Sequence, residues 1–177
     1  LAPGEVIGPL AADAAAHLGL PDGTCVVQGG SDASVAMIGL GVVEAGAMAL
    51  ITGSSHLQLG LSGQTLHGPG IWGSYADAVI PGLHMVEGGQ TSTGSVVNWF
   101  RRLLGEGVPY AQLDHEAAVV AIGSEGLLVQ DHFQGNRTPH TDPLSRGAIA
   151  GLTLRHGRGH IFRAIMESVA FGTRLIL

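Results

Sequence analysis

Lysine is absent: all eight cations among the 177 residues are arginines. Fourteen acids bring the net charge to -6, and only 12% of residues are charged, so there is no basic stripe for a nucleic acid to follow. Cysteine occurs once, at Cys25, which excludes an intrachain disulfide. Its place in a strand-like run predicts a buried, inert thiol and a reducing, cytoplasmic setting. No apolar run approaches the ~20 residues of a membrane span, and no secretory signal opens the chain. What is abundant is hydrophobic residues, at 45%, and glycine, at 29 positions. That is core material for one compact domain or parts of two, joined by many tight turns. Leu1-Ala2-Pro3 lacks an initiator Met and Arg174-Leu175-Ile176-Leu177 stops within a helical pattern, so a piece of a longer protein is expected.

The most informative stretch covers residues 25–55. A strand-like Cys25-Val26-Val27-Gln28 runs into Gly29-Gly30-Ser31-Asp32-Ala33. A second strand, 47–51, runs into Thr52-Gly53-Ser54-Ser55. Glycines let the backbone approach a ligand and offer N–H groups to an anion. A carboxylate facing such a loop suits phosphoryl transfer, with Asp32 accepting the proton of an attacking hydroxyl. The same residues also fit two plain strand-to-helix turns, with Asp32 as a helix N-cap and the serines closing a β-turn.

Periodicity predicts a helix over 8–18, a buried strand over 24–28, a helix over 34–40 and a break at 41–46. Strands 47–51 and 57–61 form a pair, the second half-buried, with Leu57, Leu59 and Leu61 inward and Gln58 and Gly60 outward. A further strand or two lie between 71 and 86, ended by Glu87-Gly88-Gly89-Gln90. Thr91 or Ser92 caps a helix over 93–104, whose apolar face holds Val96, Val97, Trp99, Phe100, Leu103 and Leu104. A helix over 110–120, a short buried strand over 127–130 and a polar loop over 131–146 follow. A last helix over 160–177 turns Ile161, Phe162, Ile165, Met166 and Val169 inward. This order implies an α/β layered architecture.

Residues 147–167 carry a longer pattern: Gly147-Ala148-Ile149-Ala150-Gly151-Leu152, seven residues, His160-Ile161, then Ala164-Ile165-Met166-Glu167. It resembles the second signature of the FGGY family of carbohydrate kinases. Gln134-Gly135-Asn136-Arg137-Thr138-Pro139-His140 with Asp142-Pro143 is similar to the GxRTPxxDP loop of its pentulose-kinase-like members. The resemblance implies a ribonuclease-H-like fold of the actin/hexokinase/Hsp70 type, a mixed sheet flanked by helices, incomplete at both ends. Residues 1–45 would end the N-terminal sugar-binding domain, and 46–177 would begin the C-terminal nucleotide-binding domain.

The same resemblance assigns roles. Asp32 is the expected general base, with Ser31, Asp32 and Ala33 at the sugar. Gly53, Ser54 and Ser55 form the second phosphate loop, with Ser54 where Thr is usual. Gly94 and Asn98, beside Trp99, contact the nucleotide. ATP and Mg²⁺ are the implied cofactors and a ketopentose or related ketose or polyol the substrate; a homodimer is compatible with the pattern. The first phosphate loop of the family, most of its sugar contacts and its Gly-rich adenine turn have no counterpart here, so the isolated chain is expected to be inactive. A regulatory or interaction protein that kept the fold without the chemistry is the alternative. None of the nine histidines shows H-x-x-x-H or H-E-x-x-H spacing on a predicted helix. His160 and Glu167 are expected to fix the last helix. Arg137 is expected to pair with Asp142, and Glu87 and Gln90 are open between ligand contact and structural use.

Overall fold

A computed structural model describes residues 1–105 and 107–177. It divides into two compact units, the first comprising Leu1–Ala49, Leu59–Leu66 and Ser74–Val86, the second Leu50–Gln58, His67–Gly73 and Glu87–Leu177.

The first unit opens with β1 (Val6–Pro9), antiparallel to β2 (Cys25–Val27), with Val6 opposite Val27 and Pro9 opposite Cys25. Helix α1 (Ala12–Leu18) is shorter than its periodicity suggested. The ladder takes the residues before it, since the Leu10 N–H donates to the Thr24 carbonyl at 2.8 Å. The expectation of a buried strand with a buried thiol fails. The pleat of β2 turns Val26 inward and leaves Cys25 and Val27 exposed. Helix α2 (Asp32–Gly39) follows, burying Ser34 and Met37.

One sheet has the order β3-β4-β6-β5, from β3 (Met48–Thr52), β4 (His56–Ser62), β5 (Gly73–Ala76) and β6 (His84–Gln90). Leu59 and Leu61 are buried as their alternation predicts, yet Gln58 is buried too, at 2% exposure. Its amide meets that of Gln90, so the polar side of β4 is covered rather than solvated. Glu87-Gly88-Gly89-Gln90 belongs to β6 instead of ending it. The Glu87 carbonyl accepts from the Trp72 N–H at 2.7 Å, and the Gly89 N–H donates to the Thr138 hydroxyl at 3.1 Å.

In the second unit α3 (Gly94–Leu103) and α4 (Tyr110–Ala118) precede a 3₁₀ turn, Ser124–Gly126. Strand β7 (Leu128–Gln130) pairs antiparallel with β8 (Ala148–Ala150), a strand that periodicity did not reveal because it is three residues long. Leu127 is buried, but Leu128 in the strand proper is exposed. Helix α5 (Arg158–Ile176) closes the chain. The core joins Val96 and Phe100 of α3, Leu113 and Ala117 of α4, and Phe162 and Ile165 of α5. Burying each large side chain contributes roughly 1.5–3 kcal/mol. Met166, expected inside, is exposed at the rim of a groove between α4 and α5, and Leu103 of α3 is exposed as well. Among the described residues no helix is long and apolar enough to cross a membrane.

Candidate active site

In the first unit, the chain leaving β2 reaches α2 through Gly29-Gly30-Ser31. Ser31, extended at φ -65° and ψ 149°, is the N-cap, and its hydroxyl accepts from the Ser34 N–H at 3.4 Å. Asp32 is therefore not the cap. It is the first helical residue, exposed, with Oδ1 accepting from the Ala33 N–H at 2.8 Å. Two groups of Ser31 and Ser34 do the work of starting the helix, since their hydroxyls also meet at 2.6 Å. Gly29 and Gly30 line a cleft of about 670 Å³ together with Glu5 and Asp77.

In the second unit, the turn between β3 and β4 rests on the start of α3. The Gly94 N–H donates to the Gly53 carbonyl at 3.1 Å, and those of Thr93 and Ser95 donate to the Ser54 carbonyl at 3.1 and 3.0 Å. Thr93, rather than Thr91 or Ser92, occupies the cap position. Its hydroxyl reaches the Gly53 carbonyl at 3.2 Å instead of capping its own helix. The approach is close enough to require glycine at 94, where a Cβ would lie 2.4 Å from the Gly53 oxygen. The first N–H groups of α3 are thus spent on holding the turn. Within the described residues, the Ser54 and Ser55 hydroxyls make no hydrogen bond and remain available to a ligand. Asn98 lies one turn along α3 from Gly94 on the same face, and its Oδ1 accepts from the Tyr110 hydroxyl at 3.2 Å. Gly53, Ser54, Gly94 and Asn98 are therefore brought together, while Ser31, Asp32 and Ala33 belong to the other unit.

The RTPH loop departs from its expected pairing. Arg137 bonds Glu87 across fifty positions, Nη2 to Oε1 at 2.5 Å, and its guanidinium lies 3.8 Å from the centre of the Trp72 ring. Asp142 instead accepts from the Leu144 and Ser145 N–H groups at 2.9 and 3.2 Å. Stacking on Trp72 aims the guanidinium at Glu87. Glu167 ties α5 down, accepting from the Gly123 N–H, the Ser124 hydroxyl and Arg163 at 3.0, 2.9 and 2.8 Å. His160 serves its own helix, its Nδ1 accepting from the Gly157 N–H at 3.1 Å. Among the described residues no group of three or more His, Cys, Asp or Glu is placed to hold a metal.

Sequence reasoning missed a buried polar cluster around Gln90, in which Asp131 and Thr173 take part. The available signal is Gln58, a polar residue within a strand pattern whose alternation points it outward.

Solved structures of similar fold include a xylulose kinase from Rhodospirillum rubrum. It is 33% identical, with a TM-score of 0.82 over 97% of this chain and 35% of that one. A ligand-bound xylulose kinase from Lactobacillus acidophilus is 26% identical, with a TM-score of 0.87 over 99% of this chain and 36% of that one. The fold is that of the ribonuclease-H-like, actin/hexokinase-type ATPases, an α/β arrangement of mixed sheet and flanking helices. A ribulokinase of Shouchella clausii (strain KSM-K16) is 34% identical over 191 residues, covering all of this chain and 34% of that protein. The model for the FGGY family of carbohydrate kinases, C-terminal domain, matches residues 48–177, and the chain belongs to that family. It spans about a third of the length of the relatives it matches.

Proposed function

We propose that this chain carries part of the active site of an ATP-dependent kinase acting on a hydroxyl of a ketopentose or a related ketose or polyol. The observation that carries the reading is the seat of Gly53 and Ser54 on the start of α3. There the backbone carbonyls are tied down and the serine hydroxyls are left free beside Gly94. The names of the relatives, ribulokinase and xylulose kinase, favour a pentulose.

In this reading residues 1–45 end the sugar domain and 46–177 begin the nucleotide domain. Ser31 and Ala33 flank the substrate, and Asp32 accepts the proton of the attacking hydroxyl. The helix does not need Asp32 as a cap, because Ser31 holds that position. The 53–55 turn, with its hydroxyls, grips the transferred phosphoryl group, and Gly94 and Asn98 support the nucleotide. Mg²⁺ would ride on the ATP phosphates and its remaining waters rather than in an all-protein cage, neutralising charge on the moving group. Positioning and electrostatics supply the rate. The reaction belongs in the cytoplasm, where ATP is supplied.

Asp32→Asn in the full-length protein tests this. A general base contributes typically about 100- to 10,000-fold, so turnover falls in that range while sugar affinity and melting temperature stay near wild type. Turnover within a few-fold of wild type would remove Asp32 from the chemistry. Ser54→Ala should lower kcat roughly 10- to 150-fold through one charge-assisted hydrogen bond. A raised KM for ATP with kcat unchanged would make Ser54 a binding contact only. A wild-type protein that binds ATP and sugar without transferring phosphate would be the non-catalytic relative.

A further inference from the structure

Gln90 closes β6 with a side chain only 5% exposed, and every hydrogen-bonding position of its amide is engaged. Nε2 donates to Asp131 Oδ2 at 2.9 Å and to the Val169 carbonyl at 3.1 Å. Oε1 accepts from the Thr173 hydroxyl at 2.7 Å and, in a longer contact of 3.5 Å, from Gln58 Nε2. One amide therefore joins β4, β6, the end of β7 and α5. The helix is shaped to admit it: a Cβ on Gly172 would stand 2.2 Å from Gln90 Nε2 and 2.7 Å from Asp131 Oδ2.

The chain beyond Gln90 is the 91–93 turn, whose Thr91 hydroxyl donates to the Gly135 carbonyl at 2.9 Å. This turn delivers the Thr93, Gly94 and Ser95 N–H groups that hold the carbonyls of Gly53 and Ser54. Gln58 lies three residues past Ser55, so the same amide also restrains the strand that leaves the phosphate turn. Both paths run through hydrogen bonds within the chain.

We propose that Gln90 is a positioning residue for phosphoryl transfer: its amide, clamped by Asp131, Val169 and Thr173, sets the turn on which the 53–55 loop rests. The inference rests on the reading of those three residues as a phosphate loop. A loop displaced by a fraction of an ångström holds the nucleotide phosphates less tightly and grips the moving phosphoryl group poorly, so ADP affinity and kcat both fall.

Gln90→Glu in the full-length enzyme keeps the size and sets a carboxylate against Asp131. Two carboxylates at hydrogen-bond distance cannot both ionise cheaply, so the pair holds a proton at low pH and loses it as pH rises. The other titratable groups facing this point are His132, 3.7 Å from Asp131 Oδ1, and His56. The expected result is kcat down about 10-fold or more near pH 8, recovering toward wild type near pH 6, with sugar KM unchanged throughout. The wild type should show no such recovery. Gly172→Ala, which wedges the same amide, should lower kcat at every pH.

Loss of melting temperature with kcat and ADP affinity unaltered in both variants would make Gln90 a core residue and nothing more. If Gln90→Glu does not fold, Gly172→Ala decides alone, by kcat and by calorimetric ADP affinity. A wild-type protein that binds ADP yet phosphorylates no sugar would count against the proposed function. The ADP arm would still judge Gln90, whose variants should weaken ADP binding if the loop moves.

Discussion

Ser31 and Asp32 are neighbours with divided duties. The Ser31 hydroxyl caps α2, and Asp32 stands on the first helical turn with its carboxylate exposed. Ser31→Ala should therefore cost about 1 kcal/mol of stability, read from a denaturant midpoint. A stability change below a few tenths of a kcal/mol would mean that the cap is idle. Gly94 is the other decisive residue. Gly94→Ala puts a methyl 2.4 Å from a carbonyl that cannot yield without moving the loop, so ATP affinity and turnover should both fall. Wild-type affinity for ATP in that variant would show that the turn does not need its seat on α3. This close approach cannot be seen in a string of letters, although Gly94 stands in a recognisable pattern.

At the scale of elements, α5 is held by Glu167. Burial works to raise this carboxyl, but the hydrogen bonds from Arg163, the Gly123 N–H and the Ser124 hydroxyl, with the Arg163 charge, outweigh it and hold the carboxyl below its ordinary value. A depressed folded-state value means stability that is present above the unfolded pKa of about 4.3 and lost as pH falls through the folded one. Glu167→Gln should accordingly lower the melting temperature at pH 7 and flatten its decline in acid. Parallel acid melting curves for the two proteins would exclude the carboxylate as the cause. The apolar faces of α3 and α5 were legible from spacing, because helices of 10 and 19 residues sample their period several times. β1 and β8, at four and three residues, sample a period of two too briefly to stand out. Their existence depends on the partner strand.

At the scale of the whole molecule, the ion pair of longest sequence separation among the described residues is Glu87 with Arg137, their side chains 15% and 18% exposed. The stack on Trp72 shields it further. Arg137→Ala leaves Glu87 half-buried and unpaired and should cost about 3 kcal/mol, the low end of what breaking a buried pair costs. The double change Glu87→Gln with Arg137→Met should recover most of that loss in thermal unfolding. A cost under 1 kcal/mol for the single change would class the pair with ordinary surface contacts. Sequence by itself determined the family signature, the long helices, the two glycine-rich turns and the exclusion of disulfide and basic-stripe chemistry. Each of these is local in the chain or a matter of composition. Only tertiary structure decided that Arg137 takes Glu87 over Asp142, that Gln58 and Gln90 are buried, and that Cys25 faces outward. Those outcomes turn on which groups meet across dozens of residues and on which face of a short strand is covered. Chain order carries no signal for either, because a buried amide and a solvated one are written with the same letter.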